Sequence, residues 1–214
     1  MRRKVPPTRM ELLRVRKRLA LAVRGHKLLK DKLEGLMKEV TEHLQELKEL
    51  RLALDQEFPE VIELFVKAAA TASVPATETA AALACAGAVL QVQQRRIMGV
   101  AVPSLEVTLA DDLAPYNLEE TSPYLDAAVR RLLELFPRIV HLGQLEDTIR
   151  RLADELERTR RRTNALEYSV IPDLRATRRL IEARLEEYTR SDISRLMKVK
   201  EMLVAREQAP PSQG

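Results

Sequence analysis

The sequence predicts an elongated, mainly α-helical protein built on a long antiparallel two-helix coiled coil. Its 214 residues include only seven aromatic side chains and six glycines, whereas 32% of the residues are charged. This composition is typical of long helices and provides few large side chains for a globular core. Two long heptad patterns lie near opposite ends of the chain, and they can cover each other's apolar faces only by packing antiparallel.

The first helix of the coiled coil is predicted within residues 1–58. Pro7 and Thr8 precede it, with Thr8 as the cap and Glu11 completing a capping box. From Leu12, alternating steps of three and four residues reach apolar side chains at eleven of thirteen positions, ending at Leu54. A straight helix drifts by ~20° per heptad, so this regularity indicates a coiled-coil seam. The predicted seam residues here are Leu12, Leu19, Leu29, Leu33, Leu36, Val40 and Leu47.

Residues 59–137 are predicted to form a small central knob of short helices and a β-hairpin. Phe58 and Pro59 are expected to interrupt or bend the first helix, and a short helix is expected over residues 80–94. The alternation of Leu105, Val107 and Leu109, bounded by proline and turn residues, predicts a hairpin at about 97–118.

The second long helix is predicted over residues 138–206, after a kink or break at Pro137, and residues 207–214 are expected to be a disordered tail. Its predicted seam residues are Leu152, Leu156, Leu166 and Val170. The apolar spacing slips at Pro172, where a proline within a helix costs roughly 3 kcal/mol. If Thr8 is aligned with Ala205, the antiparallel pairing places His26 near Glu187.

Three polar residues in or beside these seams have two interpretations each. His26 and His43 either fix the register of the coiled coil in a pH-dependent way or are tolerated polar residues whose rings reach solvent at the seam edge. The second interpretation is favoured. Asn164 is a candidate register-setting residue or, with Glu167 three residues later, the cap of a helix that restarts.

Charge is unevenly distributed along the chain. The net charge is +4, yet residues 1–30 carry a net +10 and residues 110–126 a net −5. A basic end and an acidic middle suggest that different partners bind at different positions along the predicted rod. The basic runs at 14–18 and 158–162 could contact nucleic acid, but almost no aromatic side chain is interleaved to stack on bases. Nucleic acid is therefore not the expected partner. The alternative is a free-standing coiled-coil adaptor that binds nucleic acid or another acidic partner through residues 1–30.

Several functional classes are disfavoured by what the sequence contains. The longest apolar run, residues 80–90, has 11 residues, well short of the ~20 that a membrane-spanning helix needs. Cys85 is the only cysteine, which excludes an intrachain disulfide and favours a reducing compartment, the cytoplasm. No glycine-rich phosphate loop, zinc-ligand spacing or nucleophile elbow is present. We therefore expect no catalytic residue, cofactor or metal site.

Two motifs, one in each long helix, resemble those of the D subunits of V-type and archaeal-type rotary ATPases. The second is the more distinctive, because an Asn-Ala-Leu-Glu sequence followed by Ile-Pro inside a helix is unusual. The matching residues are Pro7, Thr8, Arg9, Leu12, Leu19, Ala22, Gly25, Leu28, Leu29, Lys30 and Lys32 in the first helix, and Arg161, Arg162, Asn164, Ala165, Leu166, Glu167, Ile171 and Pro172 in the second.

The resemblance implies a non-catalytic central rotor shaft, peripheral to the membrane on its cytoplasmic side. In this family both termini enter the ring of catalytic A and B subunits, the small F subunit binds the shaft, and the C subunit links it to the membrane rotor ring. Nucleotide chemistry belongs to the A subunits. The residues expected to contact the ring or bend the shaft are Arg9, Arg161, Arg162, Asn164, Glu167 and Pro172. Whether Pro172 makes the shaft eccentric or is merely tolerated by the helix beside it stays open.

Overall fold

The protein is mainly α-helical, with two long helical segments that pack together and one β-hairpin, as predicted. The computed structural model describes residues 6–72, 74–75, 77–79, 88–109 and 122–207. The chain order is α1 (Arg9–Thr71), β1 (Val89–Ile97), β2 (Val100–Thr108), α2 (Pro123–Ala165), a π-helical turn (Leu166–Val170) and α3 (Ile171–Glu207). Two compact units result: a terminal unit of Met1–Asp31 with Arg160–Gly214, and a central unit of Lys32–Thr159.

Helix α1 begins at the predicted cap. The Glu11 N–H donates to Thr8 Oγ1 at 3.2 Å, and the Leu12 N–H donates to the Thr8 carbonyl at 3.0 Å. The Glu11 carboxylate accepts instead from Arg14, at 3.3 Å. Thr8 therefore satisfies one of the free N–H groups of the first turn, while the return bond of a capping box is replaced by a surface ion pair.

Helix α1 continues through Pro59 for a further twelve residues, to Thr71, instead of ending at residue 58. The seam explains this, because Val61 and Ala68 beyond the proline are buried. Fully burying one aliphatic side chain contributes about 1.5–3 kcal/mol, so several such contacts offset the ~3 kcal/mol cost of the proline. Pro59 itself is exposed.

Helix α2 likewise starts earlier than residue 138 and runs through Pro137, which is exposed. Its start at Pro123 follows Ser122, whose Oγ accepts from the Tyr124 N–H at 3.4 Å and from Thr71 Oγ1 at 2.8 Å. Proline is favourable in the first turn because its missing N–H has no helical partner there. The residues before Pro137 are helical because they supply half of the central core.

The central unit is held by an antiparallel pair formed by Lys32–Thr71 of α1 and Pro123–Thr159 of α2. One buried cluster combines Leu54, Val61 and Leu135, and a second combines Ala68, Leu125 and Val129. Ion pairs follow the same antiparallel order, with Lys32 to Glu155 at 2.7 Å and Glu57 to Arg138 at 2.7 Å.

The hairpin lies earlier in the chain than predicted, at Val89–Thr108 in place of about 97–118. Strands β1 and β2 pair antiparallel, from Val89 opposite Thr108 to Ile97 opposite Val100. Met98 (φ 50°) and Gly99 (φ 86°) form the two-residue connection, the left-handed geometry that matches strand twist. Residues 89–94 are therefore strand and not helix. The remainder of the predicted helix (80–87) and of the predicted hairpin (110–118) lies outside the described residues, as does the tail beyond residue 207.

Three contacts dock the hairpin on the helices of the central unit. The Leu105 N–H donates to Gln144 Oε1 at 2.7 Å, and Arg151 Nη1 donates to the Ala101 carbonyl at 3.3 Å. Met98 at the turn lies over Gly35, where a Cβ would stand 2.5 Å from the Met98 methyl group. Since a two-stranded hairpin alone is marginally stable, these contacts explain why this one persists.

Candidate functional site

The α1 seam is covered along its whole predicted length. All thirteen positions from Leu12 to Leu54 are buried or half-buried. Leu36 has no exposed surface, and the other predicted seam residues of α1 are half-buried. Exposed apolar side chains such as Leu28, 69% exposed, lie on other faces of the helix. The regular spacing therefore corresponds to one continuous buried stripe.

The second seam departs from its predicted register at one point. Leu152 is fully buried and Leu156 and Leu166 are half-buried, but Val170 is 40% exposed. Ile171, 8% exposed, occupies the seam in its place. The π-helical turn is the cause, because it inserts one residue and lengthens the step from Leu166 to the next seam position from four residues to five.

The same turn explains how Pro172 fits inside a continuous helix. In a regular α-helix the ring of Pro172 would meet the carbonyl of Tyr168, four residues back. Here the Ile171 N–H donates to the carbonyl of Leu166, five residues back, and the wider turn makes room for the ring. Asn164 is an exposed residue within α2, so it does not cap a restarting helix.

Polar pairs at the seam edge show the antiparallel register of the terminal unit. Arg16 Nη2 lies 2.8 Å from Glu182 Oε1, and His26 Nε2 lies 3.3 Å from Glu167 Oε2. His26 therefore faces Glu167, twenty residues before the predicted Glu187. The predicted pairing assumed that both helices end together, whereas the buried positions of α3 end near Leu185 and the helix continues to Glu207.

A second polar cluster surrounds Glu46 in the central unit. Its Oε1 lies 3.1 Å from His141 Nε2 and its Oε2 lies 3.5 Å from His43 Nδ1. His43 Nε2 also lies 4.0 Å from Glu39. The hydrogen bond with His141, and less strongly the one with His43, holds the pKa of Glu46 below its usual value. His43 is thus a seam histidine that contacts carboxylates at the seam edge.

The residues predicted to contact a ring subunit lie at two heights. Arg161, Arg162, Asn164, Glu167 and Pro172 are all exposed and lie within or beside the π-helical turn. Arg9 is exposed at the first turn of α1, seventeen residues before His26, which corresponds to about 25 Å along the helix. The structure therefore groups five of the six candidates and separates the sixth.

Sequence reasoning did not identify the partners of Glu46 and Glu167, nor the seam role of Ile171. These pairings join residues far apart in the chain. Periodicity alone does not identify which distant residues will pair. One local signal for Ile171 was present: an apolar residue directly before an in-helix proline, five positions after Leu166.

The described residues contain neither a metal-binding cluster nor a membrane-spanning helix. Among the described residues, no group of three or more His, Cys, Asp or Glu side chains could hold a metal ion. Within those same residues, none of the helices is both apolar enough and long enough to traverse a bilayer.

Comparison with known proteins gives one consistent result. The family model for the D subunit of ATP synthase matches residues 11–201. The V-type ATP synthase D subunit of Acetivibrio thermocellus is 43% identical over 205 residues, covering 94% of this chain and 92% of the relative. The corresponding proteins of Thermoanaerobacter sp. strain X514 and Fusobacterium nucleatum are 40% and 39% identical, each over 94% of this chain and 97% and 96% of their own lengths. This chain therefore belongs to the family of ATP synthase D subunits.

Proposed function

We propose that the chain is the non-catalytic central shaft of a V/A-type ATPase. In this role it transmits torque between the catalytic A/B ring and the membrane rotor, during ATP synthesis or ATP-driven proton or sodium transport. Family membership supports a place in a V-type ATP synthase. The proposed partners are the A and B subunits, the F subunit and the C subunit, and the proposed location is the cytoplasmic side of the membrane.

The observation that carries the proposal is the continuous buried stripe of α1. A shaft must pass angular displacement on without absorbing it, and two helices joined at every heptad resist twisting and bending more than one helix does. All thirteen positions from Leu12 to Leu54 are buried or half-buried. The central unit adds the buried clusters around Val61 and Ala68.

The exposed residues around the π-helical turn are the proposed contacts with the ring. Arg161 and Arg162 supply positive charge, and Asn164 and Glu167 add hydrogen-bonding groups on the same stretch. Pro172 and the turn before it would displace the helix from a straight course, which would make the shaft eccentric. Arg9 would contact the ring nearer to the start of α1.

The end of α3 supports insertion of the terminal unit into the ring. Every described side chain from Glu186 to Val204 is exposed except that of Ser191, which is half-buried. Many of them are apolar: Tyr188, Ile193, Leu196, Met197, Val199, Met202, Leu203 and Val204. An apolar helix end of this length without a described partner is suited to a surrounding protein surface.

Coupling in the assembled complex tests the proposal. Leu33→Asp places a charge in the seam, whereas Leu28→Asp places the same charge on an exposed face five residues away. We expect the seam variant to keep ATP hydrolysis but lose most ATP-driven ion pumping, and the control to keep both. Full pumping by a normally assembled Leu33→Asp complex would show that a continuous seam is not needed for torque.

A second experiment tests the ring contacts. The double change Arg161→Glu with Arg162→Glu should lower the torque measured in single-molecule rotation. Its matched control is Arg175→Glu with Arg179→Glu, two exposed arginines on the other side of Pro172. Unchanged torque in the Arg161→Glu, Arg162→Glu variant would remove Arg161 and Arg162 from the contact surface.

A further inference from the structure

Strand β1 has one open edge along nearly its whole length. Every residue from Val89 to Arg96 is exposed, whereas β2 contains the fully buried Val102 and several half-buried residues. Among the described residues the sheet has two strands, so β1 lies on the side away from the helices that hold β2. No described strand pairs with its outer edge.

The pairing register identifies which backbone groups that edge presents. The Leu105 N–H and the Ala101 carbonyl bond to helix α2, so the odd-numbered residues of β2 direct their backbone groups away from β1. Pro103, in the same set, loses no hydrogen bond to β1. The residues opposite this set on β1 are Leu90, Val92, Gln94 and Arg96. In such pairs both partners direct their N–H and C=O groups outward, so these four residues present theirs at the open edge.

The hairpin is held in place before any partner arrives. Gln144 and Arg151 anchor the outer edge of β2, Met98 lies over Gly35 at the turn, and Val102 is buried. A strand added to β1 would therefore dock on a fixed template, which lowers the conformational cost of binding.

Residues 89–94 of this edge lack the usual features that prevent strand addition. The nine residues of β1 pair without a bulge and include neither proline nor lysine. Leu90 and Val92 are 50% and 65% exposed and share one face of the sheet with Leu105 and Val107. At the other end, Arg95 and Arg96 are exposed and neither pairs with an acidic residue in the part of the chain that the structure describes.

We propose that β1 binds an extended segment of a neighbouring subunit, which adds a third strand to the hairpin. The chemistry of β1 specifies the segment: apolar side chains at alternate positions beside Leu90 and Val92, and a carboxylate near Arg95 and Arg96. This proposal rests on the proposed function only in that the chain has neighbouring subunits; it does not depend on torque transmission.

Residue-resolved hydrogen exchange tests the strand. The amides of Leu90, Val92, Gln94 and Arg96 are compared between the isolated full-length chain and the assembled ATPase. Strand addition should slow the exchange of these alternating amides by about tenfold or more. The amides of Gln93 and Arg95, which already bond to β2, serve as internal references for the hairpin itself.

A proline substitution provides a second measurement. Gln94→Pro removes an outward N–H opposite Pro103 and leaves the bonds between β1 and β2 intact, whereas Gln94→Ala keeps that N–H. The proline variant should lose the protection at Val92 and Arg96 in the assembled complex, and the alanine variant should keep it. Unchanged Gln93 and Arg95 exchange in both variants would show that the hairpin is intact.

The outcomes separate the two proposals. If the wild-type chain enters the complex but the four amides exchange as in the isolated chain, or if protection does not alternate, the strand proposal is overturned and the proposed function is unaffected. A helix packed against the sheet face would give protection that does not alternate along β1. If the wild-type chain does not enter the complex, both proposals fail.

Discussion

Deleting Ser169 tests whether the π-helical turn exists to accommodate Pro172. Ser169 is exposed inside the turn, so its removal takes away no buried contact. The deletion converts the five-residue step from Leu166 to Ile171 into the four-residue step of an α-helix. Ile171 would stay in the seam, but the ring of Pro172 would then meet a helical carbonyl, at a cost of about 3 kcal/mol.

The expected magnitude is a coupling between two changes. In the natural background the deletion should lower the free energy of unfolding by about 3 kcal/mol, roughly a hundredfold in the unfolding equilibrium. In a Pro172→Ala background the same deletion should cost less than about 1 kcal/mol, because a regular α-helix can then form. Urea unfolding followed by circular dichroism measures all four proteins of this double-mutant cycle.

A matched deletion shows that the effect is specific to the turn. Arg175 is exposed in regular helix after the proline, and its removal would rotate Ile181 and Leu185 out of the seam in either background. That deletion should therefore be severe with or without Pro172. The reasoning is refuted if deleting Ser169 costs the same in the two backgrounds, since the turn would then have no relation to the proline.

Two further predictions concern the cluster around Glu46 and the helix glycines. The pKa of Glu46 is lowered from its usual 4.5, mainly by His141, so its contribution to stability is complete above that pH and lost as the pH falls through the lower folded-state value. Glu46→Gln should cost under ~1 kcal/mol near neutral pH and flatten this acid-side loss, as measured by urea unfolding at a series of pH values; an unchanged pH profile would contradict it. Gly25→Ala should raise the free energy of unfolding by up to ~1 kcal/mol, because no atom lies within 4 Å of the added Cβ. Gly35→Ala should gain less, because the Met98 methyl group must move; equal gains in urea unfolding would show that Met98 does not pack there.

Local signals in the sequence were sufficient for several features. The seam positions of α1 followed from spacing alone. A heptad pattern identifies the side chains that share one face of a helix, independently of what packs against that face. The start of α1 followed from Thr8, whose side chain completes a bond within one turn. The existence of a hairpin followed from the alternation of apolar and polar residues. Its bounds did not follow, because the sequence of Val89–Ile97 is compatible with either the end of a helix or a strand.

The proline positions show where local reasoning was insufficient. Pro59, Pro137 and Pro172 all suggested breaks or kinks, and all three lie within continuous helical segments. The local cost of a proline is about the same at each position, but the burial that offsets it comes from residues distant in the chain, such as Leu135 against Val61.

The amino-acid sequence by itself determined that the chain forms two long heptad helices with a hairpin between them, and it carried the motifs of the D-subunit family. Only the tertiary structure decided which residues of the two helices meet, that Ile171 replaces Val170 in the seam, and how the hairpin is anchored. The physical reason is that periodicity specifies which face of a helix is apolar, but not at which position along the partner helix each residue packs. That position is seen only in contacts such as His26 with Glu167, which join residues 141 positions apart and form only when both helices are packed.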